Sequence, residues 1–268
     1  MRVAICFYGL VGSRSGKGGE SVSLDPAISF DLYKKHIFEK NKNVDVFIHS
    51  WSVECQHALK NLYQPRLSVF QKQLQFPESK TKIYTKRSFL SRLNYLVGRL
   101  VHSKKFRKMK EGNEKGCFRS YSRWYSSKKV LGLKKEYERE HGFEYDAVMI
   151  TRLDVGFFKD LVFDDYDMEC FYASHRNTPP WRSESGEADR NNNFQETEFS
   201  DFWFFSNSGN MDKFATVFDE LNNYDEISPH ISSKTHVDKH IGSEKIRYVF
   251  YRWFDHEMIR RKFYGSKE

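Results

Sequence analysis

Val3-Ala4-Ile5-Cys6-Phe7-Tyr8, closed by Gly9, is an unbroken apolar run with no polar alternation. That is the pattern of a strand buried on both faces of a sheet. Downstream, Asp25-Pro26 supplies an N-cap and a proline at the first helical position, and Ile28, Leu32, His36 and Ile37 recur at helical spacing within Leu24 to Lys40. Val44-Asp45-Val46-Phe47-Ile48-His49 then reads as a second buried strand. Strand, helix, strand is a βαβ unit with a right-handed crossover, so the sequence predicts an α/β fold.

Farther along, Tyr145 to Thr151 is a third strong strand, and it runs into Arg152-Leu153-Asp154-Val155-Gly156. Polar residues at the carboxyl end of a buried strand are where α/β sheets bind ligands. Between these strands the pattern predicts a helix near 54–62, a strand near 66–72 and an amphipathic helix over 89–101 that enters the basic run Lys104 to Lys110. A loop is expected over Glu111 to Gly116, and a long helix from Cys117 to His141 with Gly142 as its C-cap. After Asp154 the pattern predicts strands at 170–174, 202–205 and 246–250 and helices at 211–221, 232–241 and 254–263. The polar stretch from His175 to Glu198 is long enough for a lid or acceptor-binding segment.

At 268 residues the chain is sized for one domain, with a basic helical insertion at about 80–139. With 39% hydrophobic residues, 24 Phe and 15 Tyr, it holds enough core-forming material to fold despite a mean hydropathy of -0.73. The net charge of +8 is uneven: residues 80 to 139 hold 19 Lys/Arg against 4 Asp/Glu, so this segment carries the basic character. Such a field favours an anionic partner, whether nucleic acid, an acidic membrane surface or a diphosphate. Tyr121, Trp124 and Tyr125 lie among Arg119, Arg123 and Lys128, which would suit base stacking, but no recognised nucleic-acid motif accompanies them. The segment 89–110 reads equally as an interfacial membrane helix or as a core-facing helix with a solvated end.

Cys6, Cys55, Cys117 and Cys170 form no metal-binding or disulfide pattern, so reduced thiols are expected. The first apolar run is too short for a signal peptide and no stretch approaches the roughly 20 apolar residues that span a bilayer. A cytoplasmic protein is the expectation.

Arg152-Leu153-Asp154 is the strongest chemical candidate. A carboxylate at this position can hold Mg²⁺ or Mn²⁺ against a diphosphate, and the arginine fork can bind phosphate or sugar hydroxyls. The bland alternative is an ion pair that closes a turn. Asp165-Tyr166-Asp167 is a literal Asp-x-Asp, but its setting reads better as a solvated turn. Gly9 to Gly19 with Lys17 fails the phosphate-loop spacing, since Gly18 stands where magnesium needs Ser or Thr. His236 and His240 have i, i+4 metal-pair spacing, yet histidines beside lysines on a helix are commonly just solvated.

Taken in order, Arg2 to Cys6, Val44 to Trp51, Lys134 to Glu138, Tyr145 to Asp154 and Asp201-Phe202-Trp203-Phe204-Phe205-Ser206 with Met211-Asp212 resemble the small glycosyltransferases of bacterial capsule and lipopolysaccharide gene clusters. The resemblance covers most of the chain in scattered blocks. It implies a single GT-A-like domain with a Rossmann-type mixed, mainly parallel sheet flanked by helices. It also implies a nucleotide-sugar donor and a glycan or lipid-linked glycan acceptor; the basic segment, read as interfacial, would hold the enzyme peripheral on an anionic membrane face, and with no nucleic-acid motif present nucleic acid is not expected. By the same analogy Gly9, His49, Ser50, Trp51 and Arg152 contact the donor. Asp154 is catalytic and takes the metal, and Asp201 is a general base or acceptor contact. The family's Asp-x-Asp reads Arg152-Leu153-Asp154 here and lacks the first aspartate, which puts dependence on Mn²⁺ or Mg²⁺ in question. The rival class is a non-catalytic binding module for an anionic polymer, built on residues 80–139.

Overall fold

The structure, a computed structural model, describes residues 1–12, 24–84, 104–175 and 197–264. Strand β1 (Val3–Gly9) is central, and its apolar run faces two ways. Val3, Ile5 and Phe7 pack on one side with Tyr33 of α1 (Pro26–His36) and with Leu59 and Tyr63 of α2 (Gln56–Tyr63). Ala4, Cys6 and Tyr8 pack on the other with Cys117, Tyr121 and Trp124 of α3 (Lys104–His141). Period-two alternation of side chains with both faces covered explains why no polar residue interrupts the run.

The main sheet adds β2 (Val44–Ser50), β3 (Leu67–Phe70), β4 (Ala147–Arg152), β6 (Phe171–His175), β7 (Ser200–Ser206) and β8 (Ile246–Tyr251), in the order β3-β2-β1-β4-β7-β6-β8. Strands β3, β2, β1 and β4 are mutually parallel, β7 is antiparallel to both β4 and β6, and β8 is parallel to β6. This is the mixed, mainly parallel α/β architecture that the sequence predicts. A two-stranded sheet pairs β5 (Val155–Phe157) with β9 (His256–Met258), antiparallel. Helices α4 (Ser208–Ala215), α5 (Val217–Glu220) and α6 (Pro229–His240) lie on the α3 side, and α7 (Ile259–Tyr264) follows β9. The N-cap of α1 forms as read, with the Asp25 carboxylate accepting from the Ala27 N–H at 2.9 Å.

Three local expectations are corrected. Glu111 to Gly116 is not a loop but part of the continuous helix α3. Its glycines and asparagine disfavour helix intrinsically, but the Asn113 amide donates to the Lys82 carbonyl and its oxygen accepts from the Tyr84 N–H. A Cβ on Gly116 would come within 2.7 Å of the Tyr84 ring, so a tertiary contact selects the glycine. The helix expected over 211–221 is broken at Thr216, whose hydroxyl turns back onto the Lys213 carbonyl. The terminal helix starts only at Ile259. Phe250 and Trp253 adopt φ of 61° and 75°, and Asp255 bonds Tyr251 through both its N–H and its carboxylate, so the chain reverses and 256–258 pair with β5. The helix expected over 89–101, the turn around Lys17 and the 176–196 part of the polar loop lie outside the described residues. All four cysteines are buried and unpaired, as expected.

Helix α3 is anchored by a buried ion network. The Lys134 ammonium, fully enclosed, donates to Glu138 at 2.9 Å, to Ser208 at 2.6 Å and to Asp212 at 2.7 Å. Glu138 also accepts from the Tyr145 N–H, which ties the helix to the chain entering β4. Removing one partner of such a group strands the others, at a cost of about 3–5 kcal/mol. Lys134→Ala is expected to lower unfolding stability by about that amount in urea titration, and a loss under about 1 kcal/mol would mean the network does not anchor the helix.

Candidate functional site

Strand register assembles the site. Tyr8 on β1 pairs with His49 on β2 and with Arg152 on β4, so three strand ends lie side by side. Because β7 runs antiparallel to β4, its first residues, Ser200 and Asp201, arrive at the same end of the sheet.

At the end of β4 the Arg152 guanidinium grips Asp154 with two parallel bonds, Nε to Oδ1 at 2.7 Å and Nη2 to Oδ2 at 2.6 Å. Burial alone would lower the arginine's pKa, but the adjoining Asp154 carboxylate outweighs it and the value is raised, so Arg152 is a fixed cation. The Tyr33 hydroxyl supports the turn from beneath, contacting Thr151 Oγ1 and donating to the Arg152 carbonyl. The Ile259 N–H donates to the Asp154 carbonyl at 2.9 Å. From above, the loop after β1 presses on the carboxylate: Gly12 has φ +92°, and a Cβ there would lie 3.2 Å from the Asp154 Cβ. Only glycine allows both that conformation and that approach.

Asp201 is held by a cation from another element. Its carboxylate is ion-paired with Arg123 of α3, and His230 Nδ1 of α6 lies 3.6 Å away. Arg123 also donates to the Tyr8 hydroxyl at 2.9 and 2.7 Å and to the Asp201 carbonyl. Burial lowers the pKa of this guanidinium and the nearby Arg152 cation adds to that, while Tyr8 and the Asp154 carboxylate counter it only in part. Phe202 joins the two sides, with Arg152 at 5.8 Å and Arg252 at 4.8 Å from its ring.

The remaining predicted contacts line the β1 and β2 ends. Gly9 has φ +93° and open space where a side chain would stand, with no atom within 4 Å of that position, and its N–H donates to Ser126 Oγ at 3.0 Å. Its carbonyl accepts from the Ser50 hydroxyl and the Trp51 N–H. His49 is buried, with Nδ1 2.6 Å from Ser126 Oγ and Nε2 without a hydrogen-bond partner, and the buried Trp51 Nε1 is likewise unpartnered. Trp51 stacks on Tyr125 of α3 at 5.6 Å.

Asp154, Arg152, Gly9, His49, Ser50, Trp51 and Asp201 therefore converge on one end of the sheet. Asp165 and Asp167 do not join them: both are exposed in a turn where Asp167 accepts from the Glu169 N–H. His236 is not solvated, as the sequence suggested, but fully buried. The histidine of that helix that reaches Asp201 is His230. Sequence reading missed Tyr8, Gly12, Ser126 and His230 as site residues and placed Arg123 in a charged surface. The one available signal was the buried-face spacing of α3, where 117, 120, 121, 124, 127, 130, 131 and 134 form a helical stripe that carries polar residues.

The donor set does not fit a divalent cation at Asp154. Both carboxylate oxygens are taken by Arg152, and the second carboxylate, Asp201, is bound to Arg123. A hard cation takes several oxygen ligands in open geometry, and this strand end instead provides guanidinium.

No protein-family model and no curated protein matches the chain. Among solved structures, the chain is similar to CTP:phosphocholine cytidylyltransferase from Streptococcus pneumoniae, at 12% identity and a TM-score of 0.43, covering 99% of each chain. Among the described residues no helix is long and apolar enough to cross a membrane.

Burial drives the pKa of His49 down to about 4 and that of His256, which stacks on Phe157, down to about 3. A histidine whose folded-state pKa lies below its unfolded value of about 6.5 stabilises the fold above that value, because the unfolded chain takes up the proton first. Stability is thus expected to be full above about pH 6.5 and to fall as pH drops toward 4. Urea midpoints at a series of pH values would show this decline, less steep in His49→Gln, and equal midpoints across that range would refute it.

Proposed function

We propose that the protein is a nucleotide-sugar-dependent glycosyltransferase of GT-A-like type, acting on a surface polysaccharide or lipopolysaccharide intermediate. The observation that carries this reading is the Arg152–Asp154 pair at the carboxyl end of β4, roofed by Gly12 and flanked by the Arg123–Asp201 pair. Ligands of open α/β sheets bind at such strand ends. The resemblance of the sequence blocks to small bacterial glycosyltransferases supplies the reaction class.

In this reading the donor diphosphate meets Arg152, whose side chain is 24% exposed, and the guanidinium stabilises the leaving nucleotide as the glycosidic bond breaks. Asp154 aims the arginine at the diphosphate. Gly9, with open space over its backbone, and His49, Ser50 and Trp51 line the nucleoside side. Asp201, oriented by Arg123, accepts the proton of the acceptor hydroxyl. No step is assigned to Mn²⁺ or Mg²⁺, since the arginine fork occupies the Asp154 oxygens. The acceptor is a glycan or lipid-linked glycan, met at an anionic membrane face.

Burial of Arg123 and Lys134 in internal ion pairs removes them from any polyanion-binding surface, which favours the enzyme over a binding module.

The test is a thermal-shift screen against UDP-, GDP-, CMP- and dTDP-sugars with and without Mn²⁺, since a ligand that binds the native state raises its stability. One nucleotide class should raise the melting temperature whether or not Mn²⁺ is present, and Arg152→Ala should abolish the shift. Asp201→Asn should keep the shift while turnover falls by about 10²–10⁴. No shift with any donor, together with salt-sensitive polyanion binding, would overturn the proposal in favour of the binding module.

A further inference from the structure

Helices α5 and α6 meet, away from the strand ends, in a group of side chains that the proposed transfer does not use. Among the described residues, Glu220, His236 and His240 each present a ligand atom, and these atoms lie within 4.8 Å of one another. His240 Nε2 is 2.7 Å from Glu220 Oε1, and the two imidazole centroids are 4.4 Å apart. His236 is fully buried.

The orientation of His236 is informative. Its Nε2 faces the Lys213 carbonyl at 2.9 Å, an acceptor only, so that nitrogen carries the hydrogen. The other nitrogen, Nδ1, therefore points its lone pair into the cluster, toward the Tyr224 hydroxyl at 2.5 Å. A histidine whose outer N–H is fixed on a backbone carbonyl while its inner nitrogen faces other donors has the arrangement of a metal ligand. Glu220 divides its oxygens in a compatible way: Oε2 takes the half-exposed Lys239 at 2.7 Å, and Oε1 is left toward His240.

The sequence order agrees. Glu220-x3-Tyr224, eleven residues, then His236-x3-His240 places two donors on a tight turn and two on one helix face. Structural zinc sites use that kind of spacing, with an i, i+4 histidine pair.

We propose that Glu220, His236 and His240 bind one zinc-class divalent ion, with the fourth position on the side of the Tyr224 hydroxyl. Two imidazoles and one carboxylate select zinc over magnesium or calcium, which favour all-oxygen sets. The ion staples the turn after α5 to α6, the helix whose first turn brings His230 to Asp201. The role is structural and independent of the reaction at the strand ends.

The experiment uses the whole protein, stripped with EDTA and titrated with zinc alone against a chromophoric chelator, with cobalt(II) as a spectroscopic stand-in. One zinc per chain is expected, together with the intense visible band of tetrahedral cobalt and a melting temperature that rises with zinc. His240→Ala and Glu220→Gln, which replace side chains 28% and 19% exposed, should each weaken zinc binding by at least about tenfold. Asp154→Asn should leave it unchanged, which separates this site from the donor site. No zinc uptake by the wild type, a weak octahedral cobalt spectrum, or affinity unaltered in both variants would overturn the assignment.

Discussion

A guanidinium removed from water must be met on nearly every side, and the strand-end site is organised around that demand at Arg123. Its side chain is only 9% exposed, and its N–H groups go to the Tyr8 hydroxyl and to the carboxylate and carbonyl of Asp201. Those partners belong to β1 and β7, whereas the arginine belongs to α3. One buried cation thus fixes a helix against two strands. A displacement of any of the three would leave a charge uncompensated in a low-dielectric setting, where breaking a pair is far more costly than forming it is favourable.

The same helix shows where sequence legibility stops. Strands β1, β2 and β4 are readable because a strand covered on both faces is built mainly of apolar residues, and that constraint is local. Arg152 and Asp154 are readable by position, since they follow directly from β4. Arg123, His230 and Gly12 are not, because what they do depends on chain segments tens to over a hundred residues away. Residues 80–139 look like a charged surface, yet Lys134 is enclosed and Arg123 nearly so. Charge density along a sequence says nothing about which cations face inward. Glu111 to Gly116 misleads for the converse reason: local propensity favours a loop, and contacts with Lys82 and Tyr84 override it.

The turn after β4 also shows how the choice of residue sets local electrostatics. Two carboxylates flanking a turn repel each other and require a cation from solution. With arginine in the first place, the turn is neutral as a unit and holds its own geometry. The Asp154 carboxylate then acts as a rigid support for the guanidinium rather than as an open ligand, and Gly12 is free to pack directly on it.

The pairing of β5 with β9 has a consequence in time. The N–H of Ile259 reaches back to the carbonyl of Asp154 across more than a hundred residues, so β9 leaves a ribosome well after β4. Contacts so distant in sequence form late, because a long loop must close before they return any free energy. While the intervening residues are made, the turn after β4 therefore lacks this partner. The fork between Arg152 and Asp154, two residues apart, needs no such wait, and it keeps the strand end in shape as a placeholder until the closing strand arrives.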